Sequence, residues 1–352
     1  MEDNYLKGRG SQLNPKNKFL KDERVIAHIE GIDEEITSDV STQYLEDFPK
    51  KIVNEVTSPD LGMMYSLNPY QGCEHGCIYC YARNAHEYWG FSAGLDFERK
   101  IIVKKNAPEL LRKLFESKKW VPNSINISGN TDCYQPAERK FKITRQLLEI
   151  ALEYRNPIGM ITKNALILRD KDILQEMAKL RLIKVFVSLT SLNPDLRRAM
   201  EPRTVTAEQR LKVIETLTSV GVPVGVMTAP IIPGLNDHEI PSLIEAAANH
   251  GALGAGYTIV RLNGAVGSIF TDWIHKNFPD RAKRVLHLIE SCHGGKLNDS
   301  RWGTRTRGEG NIADVIHQMF KLSVRKHFVN RSFPEYDLSI FKRRAPLQQS
   351  LF

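Results

Sequence analysis

From residue 64 onward, short runs of β-branched and apolar residues alternate with longer stretches whose apolar positions recur at helical spacing. That is the pattern of repeated βα units feeding a parallel sheet. Six strands are expected, at residues 64–67, 124–127, 157–161, 183–189, 222–227 and 256–260. Helices are expected between them at 107–117, 144–154, 171–179, 207–219 and 239–249. Asp170, Thr206 and Asp237 stand just before the last three, and such residues accept the backbone N–H groups of a first turn. Right-handed crossovers would curl six parallel strands into part of a barrel and gather the loops after each strand at one mouth.

Residues 1–60 show no clear period and read as an extended arm wrapping the core. Residues 61–265 form the α/β core, and residues 266–352 a helical extension interrupted by a glycine-rich stretch at 292–299 and the arginine-rich run after it. With 352 residues and 41% hydrophobic content, the chain has enough apolar material for a large α/β domain. The five cysteines, three of them in one loop, do not resemble a disulfide framework. Residues 1–7 carry no apolar signal core, so a reducing, cytoplasmic setting is expected. No apolar run approaches the roughly 20 residues a membrane span needs, which predicts a soluble protein.

Charge is uneven. Residues 271–352 hold 15 Lys and Arg against 8 Asp and Glu, nearly the whole +8 excess of the chain. A basic region of this kind favours polyanions, because neutralised phosphates release counterions.

The chemistry concentrates in Cys73, Cys77 and Cys80, a C-x3-C-x2-C spacing directly behind the first expected strand. Three thiolates in one loop can hold one face of a 4Fe–4S cluster and leave the fourth iron open to a substrate. Zinc is the rival reading, with His75, Cys133 or Cys292 as a fourth ligand, although no second C-x2-C hook exists.

With Tyr79 directly before the third cysteine and a strand-like run before the loop, residues 60–265 resemble the radical S-adenosylmethionine (SAM) superfamily. The resemblance implies a partial (β/α)6 TIM-like barrel. It also implies a 4Fe–4S cluster on Cys73, Cys77 and Cys80, a one-electron reductant, and cleavage of SAM to a 5′-deoxyadenosyl radical aimed by the protein. Tyr79 is then expected against the adenine, with core packing as the alternative. Ser128, Gly129, Asn130 and Asp132, in the loop after the second strand, are expected to hold the SAM amino group, although the usual G-G-E form is absent. Ser188 at the fourth strand's end is expected at the ribose, and Arg203 at the SAM carboxylate. A surface ion pair between Glu201 and Arg203 is the structural alternative. Lys163 and Arg261, at the ends of the third and sixth strands, face the same mouth.

More narrowly, residues 68–83, the Thr131-Asp132 loop and the segment from Ser188 to Arg203 resemble the branch named after spore photoproduct lyase, a DNA repair enzyme. The Gly8-Arg9-Gly10 segment and the glycine-rich C-terminal block are similar to a bacterial subgroup of that branch whose substrate is unassigned. Cys133 is a candidate hydrogen donor, set against a packed thiol. Gln348, Leu351 and Phe352 fit a Q-x-x-L-F pattern for docking on a bacterial sliding clamp. The expected function is therefore radical SAM chemistry on DNA or another nucleic acid. Two alternatives stand beside it: a radical SAM enzyme acting on a peptide, protein or small metabolite, and a non-catalytic zinc- or cluster-bearing nucleic-acid module.

Overall fold

The computed structural model describes residues 5–20 and 41–343. Its strands are β1 (Gln43–Asp47), β2 (Val53–Glu55), β3 (Tyr65–Leu67), β4 (Tyr70–Gln71), β5 (Lys100–Lys104), β6 (Ile125–Ile127), β7 (Ile158–Thr162), β8 (Ile183–Ser188), β9 (Val224–Ile231) and β10 (Ala255–Ile259). Among the described residues, seven of them form one sheet in the order β10-β9-β8-β7-β6-β3-β2. All six expected strands are present, and their mutual pairings are parallel. One face of these strands is apolar and closed over by the crossover helices, while Asn126 and Lys184 on the alternate face are half-buried. Ile158, Met160, Ile183, Val185, Val224 and Val226 are all buried.

Four strands were not expected. β2 pairs antiparallel with β3 and covers that edge of the sheet. β1, β5 and β4 form a second, three-stranded sheet. The stretch read as an arm thus contributes strands to both sheets, and its segment 5–20 does wrap the core. Leu95 N–H donates to the Leu13 carbonyl, and Asn17 donates to the carbonyls of Glu87 and Phe91.

The helix caps divide. Thr206 caps the helix Ala207–Ser219 in a reciprocal box with Gln209. Asp170 does not cap Lys171–Lys179, because its buried carboxylate is taken by Arg145, Arg169 and Tyr134. Asp237 instead begins a short 3-10 turn and accepts from Gly234 N–H.

Helices Ala265–Asn277, Pro279–Ser291 and Asn311–His327 make up the C-terminal part. The last packs on the helix Ile240–Asn249, and Cys292, Ala313, Ile316 and Phe328 join the main hydrophobic core. This extension is therefore part of the barrel's packing. No helix among the described residues is long and apolar enough to cross a membrane. Gln348, Leu351 and Phe352 lie outside the described residues.

Candidate active site at the barrel mouth

The cysteine loop leaves β4 at the carboxyl-terminal side of the sheet, and its backbone is held from every direction. Cys73 N–H donates to the Phe97 carbonyl, and Ile78 N–H to Met200. Arg83 turns back beneath the loop and donates to the carbonyls of Cys77 at 3.0 Å and Gly76 at 3.2 Å. Gln135 closes the other side, accepting from Glu74 N–H and donating to the Gly72 carbonyl, each at 3.0 Å. Gly76 has a φ of +68°, a left-handed turn that favours glycine.

Beneath the loop lies a carboxylate that sequence reasoning missed. Glu98 is fully buried, pairs with Arg83 at 2.6 Å, and accepts the backbone N–H groups of Gly10 and Ser11. One carboxylate thus ties the N-terminal arm to the cysteine loop. Nothing local in the sequence marks it, because its partners lie far away in the chain.

Cys73 and Cys77 are buried and Cys80 is half-buried. Burial pushes the Cys77 and Cys80 thiols up, and the neighbouring cysteine charges add to this, while Lys163 pulls both down. The three sulfurs are thus close enough to feel one another, with the Lys163 ammonium facing them from the end of β7. Among the described residues, no three His, Cys, Asp or Glu side chains converge as ligands of a single metal ion. A cubane needs no such convergence, since each thiolate binds its own iron. The donor set therefore fits a 4Fe–4S cluster, and loading it would release the thiol protons.

The loop after β6 packs directly on the cysteine loop. Asn130 donates from its side chain to Gln71 at 3.2 Å, its own N–H donates to Asn68 at 2.8 Å, and the Tyr81 hydroxyl donates to the Gly129 carbonyl. Ser128 sits at φ +81°, and its Oγ accepts from Cys133 N–H at 2.7 Å. Asp132, expected to face the SAM ammonium, has its oxygens engaged within the protein. Its oxygens accept from Thr162 Oγ1, Lys163 N–H and Tyr134 N–H, and one lies 3.4 Å from His75 Nδ1. Burial alone would raise its pKa, but the hydrogen bonds from His75, Lys163 N–H and Thr162 hold it down.

His75 rests between Asp132 and Asn164, its Nε2 lying 3.2 Å from Asn164 Nδ2. Burial opposes charge on the ring, the Cys73 thiolate and Asp132 favour it, and the balance is upward. The hydrogen bonds fit the neutral ring instead. Asn164 Oδ1 is fixed by Leu166 N–H, so the amide presents N–H to Nε2. The upward pull of Cys73 also weakens once its charge is shared with iron, so the neutral assignment is the sounder one.

On the far side, the Tyr79 hydroxyl donates to Glu201, which Arg210 pairs with and Thr190 contacts at 2.8 Å. Arg210 also donates to the Ser188 carbonyl at 3.0 Å, joining the end of β8 to the cysteine loop. Arg210, rather than Arg203, is thus the partner of Glu201. Arg203 lies 4.0 Å from Glu74, and its N–H donates to the His75 carbonyl. Tyr79, Ser128, Gly129, Asn130, Asp132, Ser188 and Arg203 therefore all sit around the cysteine loop. Cys133 does not. It is fully buried within the main apolar core, which is the place of a packed thiol, and its placement gives no support to the expected donor role. A cavity of about 520 Å³ is likewise separate from the cysteines and lies between Asn193, Leu235, His238 and Arg281.

Three cysteines in one loop at the carboxyl ends of parallel βα strands define an iron–sulfur α/β enzyme in which the site, not the cavity, marks the chemistry. The chain belongs to the radical SAM superfamily, whose family model matches residues 67–247. It is a radical SAM enzyme with a 4Fe–4S cluster and SAM as cofactors. An uncharacterized protein of Mycobacterium tuberculosis is 31% identical over 242 residues, covering 68% of this chain and 71% of the relative. Another, from Methanocaldococcus jannaschii, is 30% identical over 190 residues, covering 54% of this chain and 68% of the relative. Among solved structures, spore photoproduct lyase complexed with dinucleoside spore photoproduct superposes over 86% of both chains with a TM-score of 0.62 and 14% identity. A variant of that enzyme with bound AdoMet and the same dinucleoside gives a TM-score of 0.61. The chain is similar to that branch in fold.

Proposed function

We propose that this enzyme acts on nucleic acid, most specifically DNA, in repair or modification, within a reducing cytoplasmic setting. The observation that carries the reading is where the basic C-terminal charge lies. Ile259 N–H, at the end of β10, donates to the Thr306 carbonyl, and Leu262 N–H donates to Leu297. The arginine-rich segment is thereby fixed to the loops beside the cysteines. Asn84, just behind Cys80, completes the junction by donating to the Asn263 carbonyl and accepting from Ala265 N–H. A polyanion drawn to this rim lies over the mouth. The substrate of the structural neighbour, a dinucleoside photoproduct, supports the same class.

Cys73, Cys77 and Cys80 would hold the cluster, which when bound supplies the electron that cleaves SAM. The protein's own work is positional. Arg83, Gln135 and Glu98 fix the loop. Tyr79 has its hydroxyl tethered to Glu201, leaving its ring to meet the adenine. Gly129 offers close backbone approach, since a Cβ there would meet only Ser66 at 3.6 Å. Asn130 borders the same space. Ser188 is assigned to the ribose and Arg203 to the carboxylate. Lys163 stands ready for an anion. Docking of Gln348, Leu351 and Phe352 on a sliding clamp belongs to the same reading, and clamp capture unchanged by Phe352→Ala removes that part.

The test is anaerobic. Wild type and a Cys73→Ala, Cys77→Ala, Cys80→Ala variant are reconstituted with iron and sulfide, reduced, given SAM and assayed for 5′-deoxyadenosine with and without damaged or undamaged DNA. Product from the wild type alone, increased by DNA, supports the proposal. Product that peptide additives raise and DNA leaves unchanged overturns the substrate reading.

A further inference from the structure

Trp302 is 56% exposed, yet the turn that carries it is braced. Gly303 N–H donates to Asp60 Oδ1 at 2.8 Å, and Arg305 Nε donates to Asp60 Oδ2 at 2.6 Å. Arg305 also donates to the Ser58 hydroxyl. Its guanidinium lies over the Trp302 ring, 4.2 Å from the centroid. A solvated surface tryptophan needs no such bracing, whereas a ring held ready for a planar ligand loses little entropy on binding. Gly303 has a φ of +84°, which makes the tight turn possible.

The surroundings are cationic. Arg301 is neutralised by Asp299 and Glu309, but Arg307 is exposed and has no salt bridge among the described residues. Arg261, at the end of β10, is half-buried, and its Nε is buried without a hydrogen-bond partner. Burial and the nearby Arg305 both disfavour its charge, which is the situation an incoming anion would relieve. Tyr81, directly after Cys80, lies close enough to Arg261 to act on it electrically. The tryptophan, the unsatisfied arginine and the cysteine loop thus follow one another along the rim.

We propose that Trp302, backed by Arg305, is a stacking platform for an unpaired base of a nucleic-acid strand, with Arg261 receiving the adjoining phosphate. The proposal rests on the nucleic-acid reading above and deepens it. It assigns the strand a path from the rim inward, with one base on Trp302 and its neighbour nearer the cysteine loop. Base-on-aromatic stacking tolerates any sequence, because every base has a π-face.

The test compares wild type, Trp302→Ala and Trp302→Phe, all with intact cluster. Binding of a fluorescein-labelled single-stranded DNA of mixed sequence is followed by anisotropy, with a matched single-stranded RNA and a matched duplex as further arms. Trp302→Ala is expected to weaken single-strand binding by about 5- to 150-fold, the range for one stacked base. Trp302→Phe is expected to retain most of the affinity. Thermal midpoint and SAM cleavage without nucleic acid should be unchanged in both variants. A loss on DNA or on RNA supports the platform and identifies the strand. Wild-type binding that Trp302→Ala leaves intact, or a loss equal for duplex and single strand, overturns the platform alone. Failure of the wild type to bind any of the three overturns the nucleic-acid reading together with it.

Discussion

Gly10 lies so close to Gly76 that a Cβ on Gly10 would fall 1.7 Å from the Gly76 carbonyl oxygen. The arm and the cysteine loop are in close backbone contact there, and Glu98 binds the arm directly and the loop through Arg83. Gly10→Ala must push one away from the other, and neither a carbonyl nor a buried carboxylate moves freely. Iron retained after reconstitution and desalting is expected to fall severalfold. Urea unfolding of the cluster-free protein should show a loss of about 1–3 kcal/mol from overpacking. Unchanged iron and stability would mean that the contact yields without cost.

Much of the core was legible because its signals are local. The parallel strands announced themselves as apolar runs, and the cysteine spacing is contained in one loop. The second sheet was not legible, because β5 pairs with β1, a segment far upstream with no apolar period. Its own run, Ile101 to Val103 between lysines, carried a strand signal that the βα pattern obscured. The supports of the site were hidden for a related reason. Glu201 was read against its neighbour Arg203, yet the helix Ala207–Ser219 turns Arg210 inward, and burial gave Glu201 the partner that is itself buried. Spacing identifies ligands, but only the fold reveals which residues hold them.

Tyr79 and Arg210 grip the same Glu201 carboxylate with unequal consequence. Arg210→Met leaves a fully buried charge without its counterion, expected to cost about 3–5 kcal/mol. Tyr79→Phe removes one neutral donor and leaves the others, a loss of about 1 kcal/mol. Because the ring remains, the KM for SAM should be unchanged in Tyr79→Phe. Urea denaturation and SAM-cleavage kinetics check both, and a reversed order of stability would refute the assignment of Arg210 as the principal partner.

Ser128 combines a left-handed backbone with a needed side-chain oxygen, since its Oγ accepts from the buried Cys133 N–H. Ser128→Ala keeps the strain and orphans the N–H, for an expected loss of about 1–3 kcal/mol. Ser128→Gly loses the same bond but relieves a backbone cost of about 1 kcal/mol. Glycine should therefore be the more stable substitution by chemical denaturation. If alanine proves better, the φ of +81° is not strained in this loop.

His86 gives the fold a pH dependence whose sign is fixed by burial. The ring is fully buried beside Phe91 and Phe97, and neither nitrogen has a hydrogen-bond partner. Burial pushes its pKa down to about 4, with Asp96 opposing. The unfolded chain takes up the proton near pH 6.5, its ordinary value. The unfolded state therefore binds more protons between those limits. The contribution of neutral His86 is complete above about pH 6.5 and is lost as pH falls toward 4, amounting to about 3 kcal/mol. Urea midpoints of cluster-free protein, where acid-labile iron adds nothing, should fall across this window in the wild type. They should fall distinctly less in His86→Leu, which has no proton to take up at this position. Parallel pH profiles for the two proteins would mean that the imidazole is protonated in the fold, and that a water or a shifted Asp96 carbonyl satisfies it.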